Sequence, residues 1–356
     1  MPAPPRPSAA GSSPDVSGTR VLVLGGTGFL GGQAVRCLAA AGAAVTSVSR
    51  GGPPPQSPQA AGGVEGVGSV EGVALDLAAC SPGELRAFFA ARAPDAVVNA
   101  AGQVWGDQAS MAGLNDRLAA AVVAALGPGV RLVHVGSSFE YGPLPGPLPV
   151  HETRRPAPDT VYAATKLAGT RHVLRACRSG RLDGVVLRVA VVSGPGAPGA
   201  GLLGSVAAWL TDRRAQAPPP GGHVLRLGPL LAARDFVDVR DVADAVLRAV
   251  AAPARAVRGR VVNIGGGRAV PVRHLVERLV ELSGLPARLE SAGATGTAGR
   301  STAAWQQLDI DRARRLLGWA PRHALDQSLR DMLAALAPAG VHHATQAADR
   351  CELEER

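Results

Sequence analysis

Short, largely apolar runs alternate along the chain with stretches in which apolar residues recur every three or four positions. Arg20–Leu24 (RVLVL) is the first such run, and a helical pattern follows its glycine turn as far as Ala41. Ala44–Val48, Val73–Leu75, Ala96–Asn99 and Val130–Val135 are four more runs. Between them the spacing predicts helices from Ser81 to about Arg92 and from about Ser110 to Leu126. The first of these has Ser81 as N-cap, Pro82 at the first helical position and Glu84 three residues on from the cap. Gly51–Gly72 is rich in Pro and Gly and reads as a loop. Strands that are apolar throughout are covered on both faces, so the pattern predicts an α/β fold with a doubly wound parallel sheet.

The alternation continues through a helix at Thr160–Arg178 and a strand at Gly184–Val189, then breaks. Gly194–Gly204 and Ala217–Gly222 are Gly/Pro-rich, so a smaller, irregular C-terminal domain is expected from about residue 190. Asp241–Val250 and Val272–Leu282 read as helices and Arg260–Ile264 as a late strand. The expected division is a main domain at 19–189, with 232–264 returning to it, and a second domain at 190–231 and 265–337. Residues 1–18 and 338–356 are expected to be flexible tails. No repeat is visible.

Composition changes the picture at one point. Of 356 residues, 46% are hydrophobic, enough for a real core. The longest apolar stretch, Leu118–Leu126, is too short to span a membrane, and the N-terminus lacks the apolar region of a signal peptide. Four cysteines (Cys37, Cys80, Cys177, Cys351) without a C-x-x-C pair speak against a zinc site or a disulfide framework and fit a cytoplasmic protein. The net charge of +9 comes from dispersed arginines in a chain with 3% aromatics, a poor footprint for nucleic acid. A phosphate-bearing partner is the better use for some of them. All the basic residues but one are arginine. The exception is Lys166, and there are only two tyrosines, Tyr141 and Tyr162.

Two motifs carry chemistry. Gly25-Gly26-Thr27-Gly28-Phe29-Leu30-Gly31 joins the first strand to the first helix, with glycines at 25, 28 and 31. Backbone N–H groups at a helix N-terminus can touch a pyrophosphate only where no Cβ intervenes, so this loop predicts dinucleotide binding by the main domain. An acid at the end of the second strand would bind the ribose of NAD; Ser49 and Arg50 stand there instead and favour NADP(H), with NAD(H) as the alternative. The second motif is Tyr162-Ala-Ala-Thr-Lys166, which places the only lysine one helical turn after a tyrosine. A tyrosine working as proton donor or acceptor near neutral pH needs its pKa lowered, and a neighbouring ammonium does this. Upstream, the fifth strand runs into Gly136-Ser137-Ser138-Phe139-Glu140-Tyr141-Gly142, so a serine stands at a strand's carboxyl end, where ligands of such sheets bind.

The glycine loop, the strand-end serine and the Tyr-x-x-x-Lys helix together resemble an extended short-chain dehydrogenase/reductase, specifically the NAD-dependent epimerase/dehydratase group, over about residues 19–335. Asp76-Leu77 resembles the group's adenine-contacting acidic site, and Asn99-Ala100-Ala101-Gly102 its cofactor-side stretch after the fourth strand. Arg234-Asp235-Phe236-Val237-Asp238-Val239-Arg240-Asp241 resembles its R-D-F/Y motif, whose first arginine meets a substrate diphosphate. Leu317-Gly318-Trp319-Ala320-Pro321 resembles its closing motif. Within the group the chain is most similar to reductases of nucleoside-diphosphate 4-keto-6-deoxy sugars, those acting on the GDP-linked 4-keto-6-deoxymannose especially. The dehydratases' Asp-Glu pair is replaced by Ser138 and Phe139, and the group's usual substrate asparagine after Arg188 is Val191.

The resemblance implies an NADPH-dependent ketoreductase of a nucleotide sugar with Rossmann-like architecture and a homodimer through a helix pair that includes 160–178. Ser137, Tyr162 and Lys166 would be catalytic. Gly25, Thr27, Gly28, Phe29, Leu30, Gly31, Ser49, Arg50, Asp76, Leu77, Ala100, Ala101, Gly102 and Lys166 would hold the cofactor. Ser138, Arg234 and Arg300 would hold the substrate. A 4-epimerase with tightly bound NAD and a non-catalytic Rossmann-fold binder are the alternatives.

Overall fold

The computed structural model describes residues 14–51, 68–144, 146–214, 216, 218–291 and 304–336. In chain order these residues form β1 (Arg20–Leu24), α1 (Phe29–Ala40), β2 (Ala44–Ser49), β3 (Val70–Ala74), α2 (Pro82–Arg92), β4 (Ala96–Asn99) and α3 (Gln108–Ala112). A π turn at Gly113–Arg117 leads into α4 (Leu118–Ala125), followed by β5 (Arg131–Ser137), a 3-10 turn at Ser138–Tyr141, α5 (Val161–Arg178), β6 (Asp183–Val189) and β7 (Val191–Ser193). The remainder comprises α6 (Leu202–Arg214), β8 (His223–Leu227), β9 (Ala233–Asp238), α7 (Val239–Ala251), α8 (Ala254–Val257), β10 (Arg260–Ile264), β11 (Ala269–Pro271), α9 (Val272–Ser283), β12 (Ala287–Ser291), α10 (Asp311–Leu317) and α11 (Leu325–Leu336).

The central sheet has seven strands in the order β10-β6-β5-β4-β1-β2-β3, all paired parallel. Strand order reverses between β1 and β4, which opens a crevice at their carboxyl ends. Val21 and Val23 point into one apolar layer with α1 and α7, whereas Leu22 and Leu24 point into the other with α2 and α4. Both faces are therefore covered, as the unbroken apolar runs predict.

A third apolar cluster joins α6, α9 and α11 with β8 and β9. It sits beside a three-stranded sheet (β11-β9-β7) and a two-stranded one (β12-β8). This is the smaller C-terminal part, and it is more regular than expected: α6 lies where glycines suggested an irregular stretch, because Leu203, Val206, Ala207 and Leu210 give it a buried face.

Three boundaries differ from expectation. β3 begins at Val70, inside the predicted loop, because Val70–Ala74 pairs with Val45–Ser49. Val16, expected in a tail, is buried in the first core and its N–H reaches Ala41 O. Of 232–264, expected to return to the main domain, α7 and β10 do so, but β9 pairs with β7 and β11. Conversely Leu308, Ile310, Ala313, Leu317 and Trp319, expected in the substrate domain, bury their apolar groups in the main domain's first core. Residues 1–13 and 338–356 of the predicted tails and 52–67 of the predicted Pro/Gly loop lie outside the described residues.

Candidate active site

The glycine loop turns back under β2: the N–H groups of Gly25 and Gly26 both donate to Val48 O, at 2.9 and 3.1 Å. Gly25 has φ +79°, and a Cβ there would stand 2.9 Å from the Ala101 backbone. A Cβ on Gly31 would stand 2.1 Å from Gly25 O, so the loop and the first turn of α1 touch backbone to backbone. Helix α1 has Gly28 at its N-cap, hence no side-chain cap, and no acid in its first turn, whereas α2 carries a full Ser81–Glu84 capping box. The free N–H groups and positive dipole end of a 12-residue helix thus face outward beside exposed Thr27 and half-buried Phe29 and Leu30. These features fit a dinucleotide's pyrophosphate.

Around this loop, Ser49 is buried at the end of β2 and Arg50 is exposed next to it. Asp76 accepts the Ala78 N–H at 3.0 Å, and Leu77 is buried in the second core. Ala100 and Ala101 are half-buried, and a Cβ on Gly102 would stand 3.7 Å from Lys166 Nζ. The stretch after β4 therefore meets the lysine that sequence spacing singled out.

Ser137 closes β5 and Tyr162 lies in the first turn of α5, which Thr160 caps by accepting the Ala163 N–H at 3.2 Å. Ser137 adjoins the Tyr162 hydroxyl closely enough to draw its pKa down, and the Phe139 ring meets Tyr162 edge-on at 6.3 Å. Lys166 is buried and donates to Val135 O at 2.5 Å. All three expected catalytic residues thus converge, but the electrostatics differ from expectation. Burial pushes the Tyr162 phenol up to about 12, with the Ser137 hydrogen bond pulling it down and Glu140 adding to the rise. Burial likewise pulls Lys166 down to about 8, against an upward effect of Glu140. The ammonium is directed at a strand carbonyl, so it does not lower the phenol.

Two of the expected substrate residues are placed. Ser138 is fully buried and donates to Gln306 Oε1 at 2.9 Å, while Gln306 Nε2 donates to Ser138 O at 3.1 Å. Its hydroxyl holds the 304–310 segment against the site and is not presented to a substrate. Arg234 is buried and donates to Ala233 O at 3.1 Å; burial lowers its pKa and the charge of Asp159 opposes this. Asp159 lies three residues before Tyr162, so Arg234 faces the N-terminal end of α5. Arg300 lies outside the described residues.

Sequence reasoning passed over Asn115. The π turn interrupts the expected continuous helix and buries this side chain. Asn115 accepts the Gln103 N–H at 2.9 Å and donates to Gln103 O at 2.8 Å and Thr165 Oγ1 at 3.1 Å. It ties the stretch after β4 to the residue preceding Lys166, and in the sequence it is one of three consecutive polar residues, Asn115-Asp116-Arg117, so nothing in the pattern singled it out.

The profile of the NAD dependent epimerase/dehydratase family matches residues 21–265. The chain belongs to this family. Among its curated relatives, the dTDP-6-deoxy-L-talose 4-dehydrogenase (NAD(P)(+)) of Kitasatospora kifunensis is 42% identical over 93% of this chain and 99% of its own length. The GDP-6-deoxy-D-mannose reductase of Pseudomonas aeruginosa is 27% identical over 68% and 80%. Among solved structures, RMD from Pseudomonas aeruginosa complexed with NADPH superposes with a TM-score of 0.72 at 25% identity, over 91% of this chain and 98% of that one. The epimerase/dehydratase chain described here has no helix long and apolar enough to cross a membrane and no cluster of His, Cys, Asp or Glu able to hold a metal, both among the described residues.

Proposed function

We propose that the protein is an NADPH-dependent 4-ketoreductase of a nucleotide-linked 4-keto-6-deoxyhexose, with Ser137, Tyr162 and Lys166 as its catalytic residues. The observation that carries the reading is that Ser137 at the end of β5 adjoins Tyr162 on α5, with the phenol kept protonated by burial: ketone reduction consumes a proton, and Tyr162 holds one across the neutral range. The uncapped N-terminus of α1 and the glycine cradle suit a cofactor whose reduced nicotinamide would supply the hydride. Ser137 Oγ donates a hydrogen bond to the C4 ketone oxygen, Tyr162 Oη protonates that oxygen as the alkoxide forms, and Lys166 keeps the helix face positive toward the ribose. In the opposite direction Tyr162 would accept the proton from the C4 hydroxyl. Arg234 binds the diphosphate.

Ser138 and Phe139 stand where a dehydratase needs its acid–base pair, so no 4,6-elimination is proposed. The nucleotide assigned is dTDP, since the relative aligned end to end at 42% bears a dTDP-sugar name while the GDP-sugar reductase is matched at 27%. Ser49 and Arg50 favour NADPH over NADH. A homodimer involving α5 belongs to the same proposal. A stopped assay decides the reaction: one NADPH consumed per 4-keto sugar reduced supports a reductase, whereas conversion of a 4-hydroxy sugar to its epimer with no net cofactor change would replace it with a 4-epimerase.

A further inference from the structure

Beneath the three candidate catalytic residues lies an ion pair that the mechanism does not use. Glu140 is fully buried in the 3-10 turn after β5, and Arg188 of β6 grips it through two guanidinium nitrogens at 3.0 and 2.8 Å. The other Glu140 oxygen accepts the Ser137 N–H at 2.9 Å and the Thr170 hydroxyl at 3.0 Å. A Cβ on Gly136 would stand 2.7 Å from that oxygen, so the carboxylate is seated directly against the strand end. Arg188 is fixed in turn: its guanidinium lies 4.3 Å from the Tyr141 ring centre, and the Tyr141 hydroxyl donates to Asn263 at 2.8 Å.

One carboxylate therefore joins the strand that carries Ser137, the helix that carries Tyr162 and Lys166, and the neighbouring strand β6. For a buried ion pair the cost of desolvation can exceed the Coulombic gain, so the pair's weight lies in what it positions more than in stability. We propose that Glu140 is a positioning residue of the active site, which holds Ser137 by its backbone, anchors α5 through Thr170 and places its carboxylate near Lys166.

This rests on the proposed function only for the roles of Ser137, Tyr162 and Lys166. The charged and titratable groups facing Glu140 are Arg188 from β6 and, from α5, Tyr162 and Lys166; Lys166 also faces neutral, buried His134 on β5. Removing the Glu140 charge must make Lys166 more acidic, because its negative charge favours the ammonium.

Glu140→Gln alone would strand the Arg188 charge, so the test uses Glu140→Gln with Arg188→Met, which removes both charges at similar volume. Lys166 is the only lysine, so lysine labelled with carbon-13 at Cε gives a single resonance whose titration reads this site without substrate. A midpoint near 8 in the parent that falls by about one unit in the paired variant supports the proposal. A midpoint that does not move overturns it. In turnover of a dTDP-linked 4-keto-6-deoxyhexose, the paired variant is expected to lose about tenfold or more in kcat with KM for the sugar within about twofold. Native kcat would also overturn the proposal. Should the paired variant fail to fold, Glu140→Asp keeps the charge but shortens the reach to Ser137: lowered kcat with an unmoved Lys166 midpoint supports the role, and native kcat refutes it. Tyr162→Phe separates the two readings, since turnover surviving that change would sink the assigned catalysis while leaving the Lys166 titration as an independent test of Glu140.

Discussion

Lys166 donates to the main-chain carbonyl of Val135, two residues before Ser137, at 2.5 Å. The bond fastens the helix bearing Tyr162 to the strand bearing Ser137, and it explains why a lysine survives in a chain whose other 36 basic residues are arginine. A compact ammonium fits the buried slot between α5 and β5, where a planar guanidinium would not. Lys166→Arg is therefore expected to cost at least about a hundredfold in kcat while thermal unfolding remains cooperative. Steady-state kinetics beside a melting curve checks this, and near-native kcat would contradict it.

The pH dependence has a definite sign. Lys166 is charged below about 8 and neutral above it, whereas Tyr162 stays protonated up to about 12. The alkaline limb of kcat/KM in the reductive direction is thus expected near pH 8 and belongs to Lys166. A profile flat to about pH 10 would show that the ammonium is not needed.

The glycine loop makes a graded prediction. Gly31→Ala drives a methyl to 2.1 Å from Gly25 O, while Gly28→Ala meets the same oxygen at 3.2 Å. Fluorescence titration with NADPH should show binding weakened by about tenfold or more for Gly31→Ala and less for Gly28→Ala. Equal losses would mean that the crowding within the loop does not govern binding.

Arg50, exposed beside Ser49, should matter to one cofactor only. Arg50→Ala is expected to raise KM for NADPH about tenfold and leave KM for NADH unchanged. Parallel changes in both would remove the case for a 2′-phosphate contact.

Asp235 links stability to pH. It is fully buried and accepts the N–H groups of Gly266 (2.6 Å), Leu308 (2.9 Å) and Gly267 (3.1 Å). Burial nevertheless pushes it up to about 6. With the folded pKa above the unfolded value, its contribution to stability is complete below about pH 4 and is lost as pH rises through about 6, a change on the order of 3 kcal/mol. Asp235→Asn cannot ionise, so its stability deficit against the parent should shrink between about pH 4 and about pH 7. Denaturant unfolding at both values reads the change, and a constant deficit would contradict it.

The parallel sheet was legible because β1, β2, β4 and β5 are largely apolar runs, and the helix carrying Tyr162 and Lys166 because its spacing is local. Helix α6 was hidden by the Gly/Pro-rich stretch that runs into it, the three-residue strands β7 and β11 are too brief to show alternation, and β8 (HVLRL) and β12 (ARLES) interleave charged or polar residues in five positions. The Glu140–Arg188 pair spans 48 residues and Ser138–Gln306 spans 168, so no local pattern could announce either. The Lys166 slot inverted an expectation for a related reason: chain spacing placed the lysine one turn from Tyr162, but the direction of its ammonium depends on a carbonyl from another element.

Reduction of a nucleotide-linked 4-keto-6-deoxyhexose stands or falls with Tyr162 as the source of the proton. The most direct measurement is single-turnover NADPH oxidation with the dTDP-linked substrate, for the parent and for Tyr162→Phe, with cofactor affinity measured alongside. Stoichiometric oxidation by the parent, and a rate at least about a thousandfold lower for Tyr162→Phe at unchanged NADPH affinity, is the predicted result. Oxidation that survives the loss of the phenol hydroxyl would contradict it.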